Sequence, residues 1–392
     1  MQSAKRIAFI APRFSEGDTI GGAETLIKNL AMRTAEAGHD TILLTTCAKN
    51  HFTWANDLPP GERVFGKLKV RFFSVDSDRN IPAFLAVQEV ISRGSKVSRQ
   101  EELTWLSNSV NSREMYDYLR VHGGSFDRIV AGPYLFGVTY FASKIHPDRT
   151  MLVPCLHDEP FAYLAEIADM FRGVAGCMFN TEPERDLAVR LYDLPAGHCH
   201  VVGMGLEDFA SDPNIFAAKR KIGCPYVIYS GRREPLKGIP TLLDYILAFR
   251  LRTGRNIKLV VTGSGPMDIP SGLAGHVVDT GFLPEAEKRN AMAGAIAFCH
   301  PSRNESLSIV LLESWLARTP ALVTARSDVL RYQCRKSNGG LWFNSYPEFE
   351  EELSLLLDNP ELCRTLGEQG REYVLREYSW ERVEKRLFGS LS

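Results

Sequence analysis

No charge of one sign dominates this sequence. It carries 46 lysines and arginines against 47 aspartates and glutamates. The balance holds on both sides of Leu206, with 22 basic and 24 acidic residues up to it and 24 and 23 beyond. Neither half is a polyelectrolyte, so a nucleic-acid partner held by a basic face is not indicated. Organised cysteine is missing as well. The eight present (Cys47, Cys155, Cys177, Cys199, Cys224, Cys299, Cys334 and Cys363) form no CxxC and no Cys/His cluster, which leaves no zinc site and no disulfide framework to read. Several fall in strand-like runs, where a free thiol packs as a small hydrophobe, as in a protein of the reducing cytosol. Long apolar runs are absent too. None approaches the ~18 residues of a membrane span, and the opening KRIAFIAP is too short for a signal peptide. The expectation is a cytoplasmic protein. At 392 residues, with 44% hydrophobic and 24% charged, the chain has ordinary globular composition and length for two domains of about 200 residues each.

What is there centres on Phe298 to Pro320, FCHPSRNESLSIVLLESWLARTP. The apolar run Ala295 to Cys299 reads as a buried strand, ended by Pro301 and Ser302. Asn304, Glu305 or Ser306 can cap a helix, Leu307 to Leu316 is apolar enough to be a buried one, and Pro320 stops it. On such a helix Glu305 and Glu313 lie about 12 Å apart along the axis and about 80° apart around it. That is too far for a paired acid and base on one glycosidic bond, where carboxylates sit about 5 to 9.5 Å apart. It suits a ligand lying along the helix, with phosphates between the two carboxylates near the helix N-terminus. A nucleoside-diphosphate sugar has that shape. Two ordinary surface glutamates would give the same spacing.

Around this stretch the chain alternates strand and helix. Lys5 to Ala11 is a strand, Pro12 to Ile20 a polar loop, and Gly21-Gly22-Ala23-Glu24 opens a helix before the strand Thr41 to Thr45. This unit has glycines at the helix start, as nucleotide folds do, but no GxGxxG, so a dinucleotide reading is weak. Lys69 to Val75 is a strand ending in Asp76-Ser77-Asp78, which reads either as a divalent-metal pair or as a solvated turn. One helix is expected over Glu101 to Val121. His157 follows the strand Thr150 to Cys155, at a ligand-facing strand end. Beyond a boundary near 206 to 220, the strand Tyr226 to Ser230 leads into Gly231-Arg232-Arg233-Glu234-Pro235-Leu236-Lys237-Gly238. A guanidinium and an ammonium at a helix start complement a pyrophosphate. The strand Lys258 to Thr262 ends in Gly263-Ser264-Gly265-Pro266. The loop around Arg93, Lys96, Val97 and Arg99 is the only local hint of an anionic-surface patch, and it fits weak, reversible attachment at most.

In this order these segments resemble the family 4 retaining glycosyltransferases. Pro301-Ser302-x-x-Glu305 with Glu313 and Ala317-Arg318-Thr319-Pro320 is similar to that family's PSxxEGFGxxxxEAxAxGxP. Here Ser306, Ser308 and Arg318 stand where the family usually has glycine, and Leu307 replaces Phe. GGAE resembles its GGxE loop, Gly231 to Gly238 its GRxxxxKG loop, Gly263 to Pro266 its GxGP turn, and Gly203 to Asp208 its interdomain segment. The resemblance implies an α/β GT-B architecture, two Rossmann-like domains facing an interdomain cleft. The first would span 1–206, completed by 378–392, on the acceptor side; the second, 207–377, would bind the nucleotide sugar. It implies sugar transfer with retention from a nucleotide-diphosphate donor to a glycan or lipid-linked acceptor, in cell-surface polysaccharide or lipopolysaccharide synthesis. A non-catalytic nucleotide-sugar-binding module of the same fold is the alternative. Arg232 and Lys237 would hold the diphosphate, with Arg233 peripheral, Glu305 and His157 would meet the donor sugar, and Glu313 the ribose. Gly21, Gly22, Gly263, Gly265, Leu283, Ser306, Leu307 and Ser308 would line the donor site. No metal or other cofactor is expected. The expected location is cytoplasmic, with at most weak peripheral contact to the inner face of a membrane.

Overall fold

A computed structural model describes residues 4–17 and 21–392. The end of the expected loop Pro12 to Ile20 (residues 18–20) lies outside the described residues. The chain divides into two units, Met1–Met204 with Glu384–Ser392, and Gly205–Val383. Among the described residues, no helix is long and apolar enough to cross a membrane. All eight cysteines are free.

The first unit is built on eight strands: β1 (Arg6–Ile10), β2 (Asp40–Thr46), β3 (Gly61–Phe65), β4 (Leu68–Phe73), β5 (Arg128–Ala131), β6 (Thr150–Leu152), β7 (Gly176–Phe179) and β8 (Cys199–Val201). Their order is β3-β4-β2-β1-β5-β6-β7-β8. Every pair is parallel except the β3–β4 hairpin at the edge. Ile7 to Ile10 are buried without a polar interruption, as expected of a central strand covered by helices on both faces. The order turns at β1: the chain moves outward through β2 and β4, then restarts at β5 on the other side. In open α/β sheets such a reversal leaves a crevice at the carboxyl ends of the strands.

The second unit has six parallel strands: β9 (Tyr226–Ser230), β10 (Lys258–Thr262), β11 (Val277–Gly281), β12 (Phe298–His300), β13 (Ala321–Thr324) and β14 (Gly340–Phe343). Their order, β11-β10-β9-β12-β13-β14, reverses between β9 and β12. This is the doubly wound arrangement, and it places the loops after β9 and β12 side by side.

Two expectations need correction. The helix expected over Glu101 to Val121 is two helices, Arg99–Asn108 and Arg113–His122. Between them the Asn111 amide donates to the carbonyls of Leu106, Ser107 and Ser109, closing the first helix, and Ser112 caps the second through Met115 N–H. Polar side chains that bond local backbone compete with helix continuation. The buried helix expected from Leu307 begins at Ile309, after Ser308 in a left-handed conformation (φ 66°, ψ 79°). Glu305 is therefore a loop residue, and the spacing worked out on a continuous helix does not apply. In the basic loop, two of the cations have acidic neighbours. Arg93 pairs with Glu89, and Arg99 pairs with Glu166 at 3.0 Å and Asp169 at 2.6 Å.

Candidate active site

In the second unit the reversal point brings two loops together. Lys237, at the end of the loop after β9, sends its Nζ to Glu305 Oε1 at 2.7 Å and to the Asn304 carbonyl at 3.3 Å, both on the loop after β12. The side chains are 24% and 12% exposed. Burial alone would push the Glu305 carboxyl up, yet the Lys237 ammonium and then His300 bring it down to about 2. Glu305 is an anion held ready beside a cation. Close approach of these loops explains two glycines. A Cβ on Gly238 (φ 77°) would sit 2.6 Å from the Pro301 carbonyl oxygen, and one on Gly263 (φ 125°) 2.0 Å from that of Gly231. Neither loop tolerates a side chain there.

The other expected residues of this unit fall around the same strand ends. Gly265 (φ 112°) follows Gly263 in the turn after β10. Leu283, Ser306, Leu307 and Ser308 are buried. Arg232 is half exposed and pairs with Glu234 at 2.9 Å, an ion pair of little strength in water. Glu313 lies on the helix Ile309–Leu316. Both of its oxygens lie 3.1 Å from the Lys288 ammonium, which donates a hydrogen bond to Oε1 but makes only an ion pair with the buried Oε2, and burial raises its carboxyl above the usual range against the pull of Lys288.

His157, Gly21 and Gly22 belong to the first unit. His157 lies just beyond β6, its Nδ1 3.5 Å from Glu159 Oε1, which also accepts from the Tyr134 hydroxyl at 2.8 Å. The loop is anchored by buried Glu184, which accepts the N–H groups of Leu156 and Asn180 at 2.7 and 2.6 Å. Gly21 precedes the helix Gly22–Glu36. A Cβ there would meet Glu24 Oε2 at 2.4 Å, because the Glu24 side chain folds inward to a buried ion pair with Arg13 at 2.6 Å. Asp76 and Asp78 share Arg113, at 3.4 and 2.7 Å. Among the described residues, no group of three or more His, Cys, Asp or Glu is placed to hold a metal ion.

Residues 212–373 match the family described as glycosyl transferases, group 1. That stretch lies within the second unit. The chain is 27% identical to the alpha-D-kanosaminyltransferase of Streptomyces kanamyceticus over 247 residues, 59% of this chain and 63% of that protein. It is 30% identical to the D-inositol 3-phosphate glycosyltransferase of Saccharomonospora viridis over 232 residues, 53% of each. The chain thus spans between 53% and 63% of the length of these curated relatives. A sucrose-phosphate synthase from Thermosynechococcus elongatus matches 98% of both chains with a TM-score of 0.71 at 15% identity. That likeness is one of fold, the two-Rossmann architecture of GT-B glycosyltransferases.

Three polar residues of the second unit escaped the sequence reading. Arg233 is 7% exposed rather than peripheral. It forks onto Asp279 through both terminal nitrogens and reaches the Gly265 carbonyl at 3.3 Å, tying the loop after β9 to the turn after β10. Lys288 stands among surface-type residues in Glu-Ala-Glu-Lys-Arg, yet it is mostly buried against Glu313 and Glu285. His300 ends β12 and is buried beside Glu305 and Ser308. The available signal was the interruption of an apolar strand by one imidazole directly before Pro301.

Proposed function

We propose that this protein transfers a sugar from a nucleotide-diphosphate donor to a glycan or lipid-linked acceptor, with retention of configuration and without a metal ion. The observation that carries the reading is the Lys237–Glu305 pair, 2.7 Å apart on the two loops flanking the reversal between β9 and β12. That is where open α/β sheets bind nucleotides. Lys237, with the half-exposed Arg232, supplies positive charge for the negative charge that grows on the leaving diphosphate. Glu305, kept ionised, accepts hydrogen bonds from donor-sugar hydroxyls. The Glu313 carboxylate, whose Oε2 has an ion pair with Lys288 but no hydrogen bond, suits a ribose diol. His157 is assigned to the donor sugar on family resemblance alone. The sequence places no obvious enzymic nucleophile, so the reading favours displacement on one face, assisted by the departing phosphate. The named relatives, a kanosaminyltransferase and an inositol-phosphate glycosyltransferase, support sugar transfer in general. A cell-surface glycan as the end product rests on resemblance.

The test is a thermal-shift screen of UDP-, GDP-, ADP- and dTDP-sugars, followed by turnover assays with the donor that binds. A ligand present at about 100 times its dissociation constant adds about 2.7 kcal/mol. Absence of stabilisation by every donor sinks the reading. Binding without hydrolysis or transfer to any acceptor favours the non-catalytic module, the alternative raised by Ser306 and Ser308.

A further inference from the structure

The loop that carries Glu305 contains an arrangement the motif does not foresee. Ser308 is the N-cap of the helix Ile309–Leu316, a position where serine ordinarily turns its hydroxyl onto the first free N–H groups. Here it makes no such bond. Its backbone is left-handed (φ 66°), a conformation that strains any residue with a Cβ, and its Oγ lies 2.8 Å from His300 Nε2. The same Nε2 is 3.6 Å from Glu305 Oε1. His300 Nδ1 is buried with no partner. A proton on Nδ1 would have no acceptor, so the neutral ring carries it on Nε2, facing the serine oxygen and the carboxylate. Burial keeps the ring neutral, pulling it down to about 4 despite the nearby carboxylate. An apolar side chain would fill this place at the end of β12 without leaving a nitrogen unsatisfied. The imidazole is a costly choice for a core position, and its one polar engagement points at the site.

We propose that His300 is a positioning residue: through its Nε2–Ser308 hydrogen bond it holds the left-handed turn beside the Glu305 carboxylate, and so sets the grip on the donor sugar. This rests on the donor-site reading above, and it adds a residue pair that replaces the freedom of a glycine at 308 with a hydrogen bond. Lys237 holds Glu305 from the loop after β9, and His300 adds a second neighbour from within β12. The Ser308 hydroxyl proton is left for a ligand oxygen.

Isothermal titration of a nucleoside diphosphate and of its matching nucleotide sugar separates the two levels of the argument. The readout is the ratio of the two dissociation constants, measured in the wild type and in His300→Leu, His300→Gln, Ser308→Gly and the His300→Leu/Ser308→Gly pair. His300→Leu should lower the sugar-dependent gain by about tenfold, the scale of one hydrogen-bonded charged contact, while diphosphate affinity stays within about twofold. His300→Gln, whose amide N–H reaches the Nε2 position, should keep the gain. Ser308→Gly should lower it alone, yet add nothing once His300 is leucine, the signature of a coupled pair. An unchanged ratio in His300→Leu overturns the proposal. So do additive effects of the two substitutions, or a parallel loss of sugar and diphosphate affinity, which a merely structural histidine would give. Should His300→Leu not fold, Ser308→Gly decides, and an unchanged ratio there overturns the proposal. If the wild type binds no nucleotide sugar, the donor-site reading itself falls and this inference with it.

Discussion

Replacing Lys237 by methionine removes the cation and keeps most of the side-chain volume, so its effect reads the electrostatics of the Glu305 pair. The Glu305 carboxyl lies at about 2 instead of 4.5, a preference for the charged form worth about 3 kcal/mol at about 1.36 kcal/mol per pH unit. Because the group is depressed, that stabilisation is complete above about pH 4.5 and disappears as the pH falls through about 2. Without Lys237, burial dominates and the carboxyl moves above 4.5. At neutral pH the variant should therefore lose about 3 kcal/mol, in line with breaking a buried ion pair, and the loss should shrink toward pH 3. Acid also weakens the wild type through His300. With a folded value of about 4 against 6.5 when free, the imidazole takes up a proton first in the unfolded chain, so stability climbs with pH across that window. Urea titrations at pH 7, 5 and 3, read by hydrogen exchange of peptides spanning Phe298 to Pro320, follow this unit alone. A loss of equal size at all three pH values, or none at pH 7, would refute the assigned ion-pair energetics.

The remaining predictions concern ligands and surfaces. Glu313→Gln should weaken nucleotide binding by about 1 to 3 kcal/mol in titration calorimetry, whereas Glu305→Gln should cut turnover and leave free-nucleotide affinity nearly intact; equal losses of nucleotide affinity would mean the ligand is misplaced. Donor binding should survive EDTA, and a loss restored by manganese or magnesium would redirect attention to Asp76 and Asp78. With Arg93 and Arg99 held in ion pairs, cosedimentation with anionic vesicles should be weak at low salt and absent at high salt; tight, salt-resistant binding would assign attachment to another surface.

The fold was legible because its signals are local and repeated. Short apolar runs such as Val227 to Tyr229, Leu259 to Val261 and Ala321 to Val323, each fully buried or nearly so, alternate with helices and glycine-bearing turns, which is the pattern of a parallel sheet. The edge hairpin of β3 was not legible, since GERVF is half charged and most of its residues are exposed or half-buried. Nor was the break at Ser109 to Ser112, where side-chain bonds to backbone override a continuous helical pattern.

The candidate site divides along the same line. Lys237, Glu305, Gly238 and Gly263 could be singled out because charge and missing side chains at strand ends have few structural uses, and the structure finds the ammonium and carboxylate paired and the two glycines at close approaches. Arg233 and His300 could not, because what distinguishes them is a partner that only the folded backbone brings within reach. Arg233 finds Asp279 forty-six residues away, on a strand two places across the sheet. His300 depends on a serine whose hydroxyl would ordinarily cap its own helix, and only the left-handed turn at Ser308 swings that oxygen back to the imidazole. The sequence offers Asn304, Glu305 or Ser306 as the cap; the helix starts after Ser308, whose side chain makes no capping bond. The polar residues hidden from sequence reading are thus ones that brace the loops of the site, and their substitution should alter how well the site grips rather than what it binds.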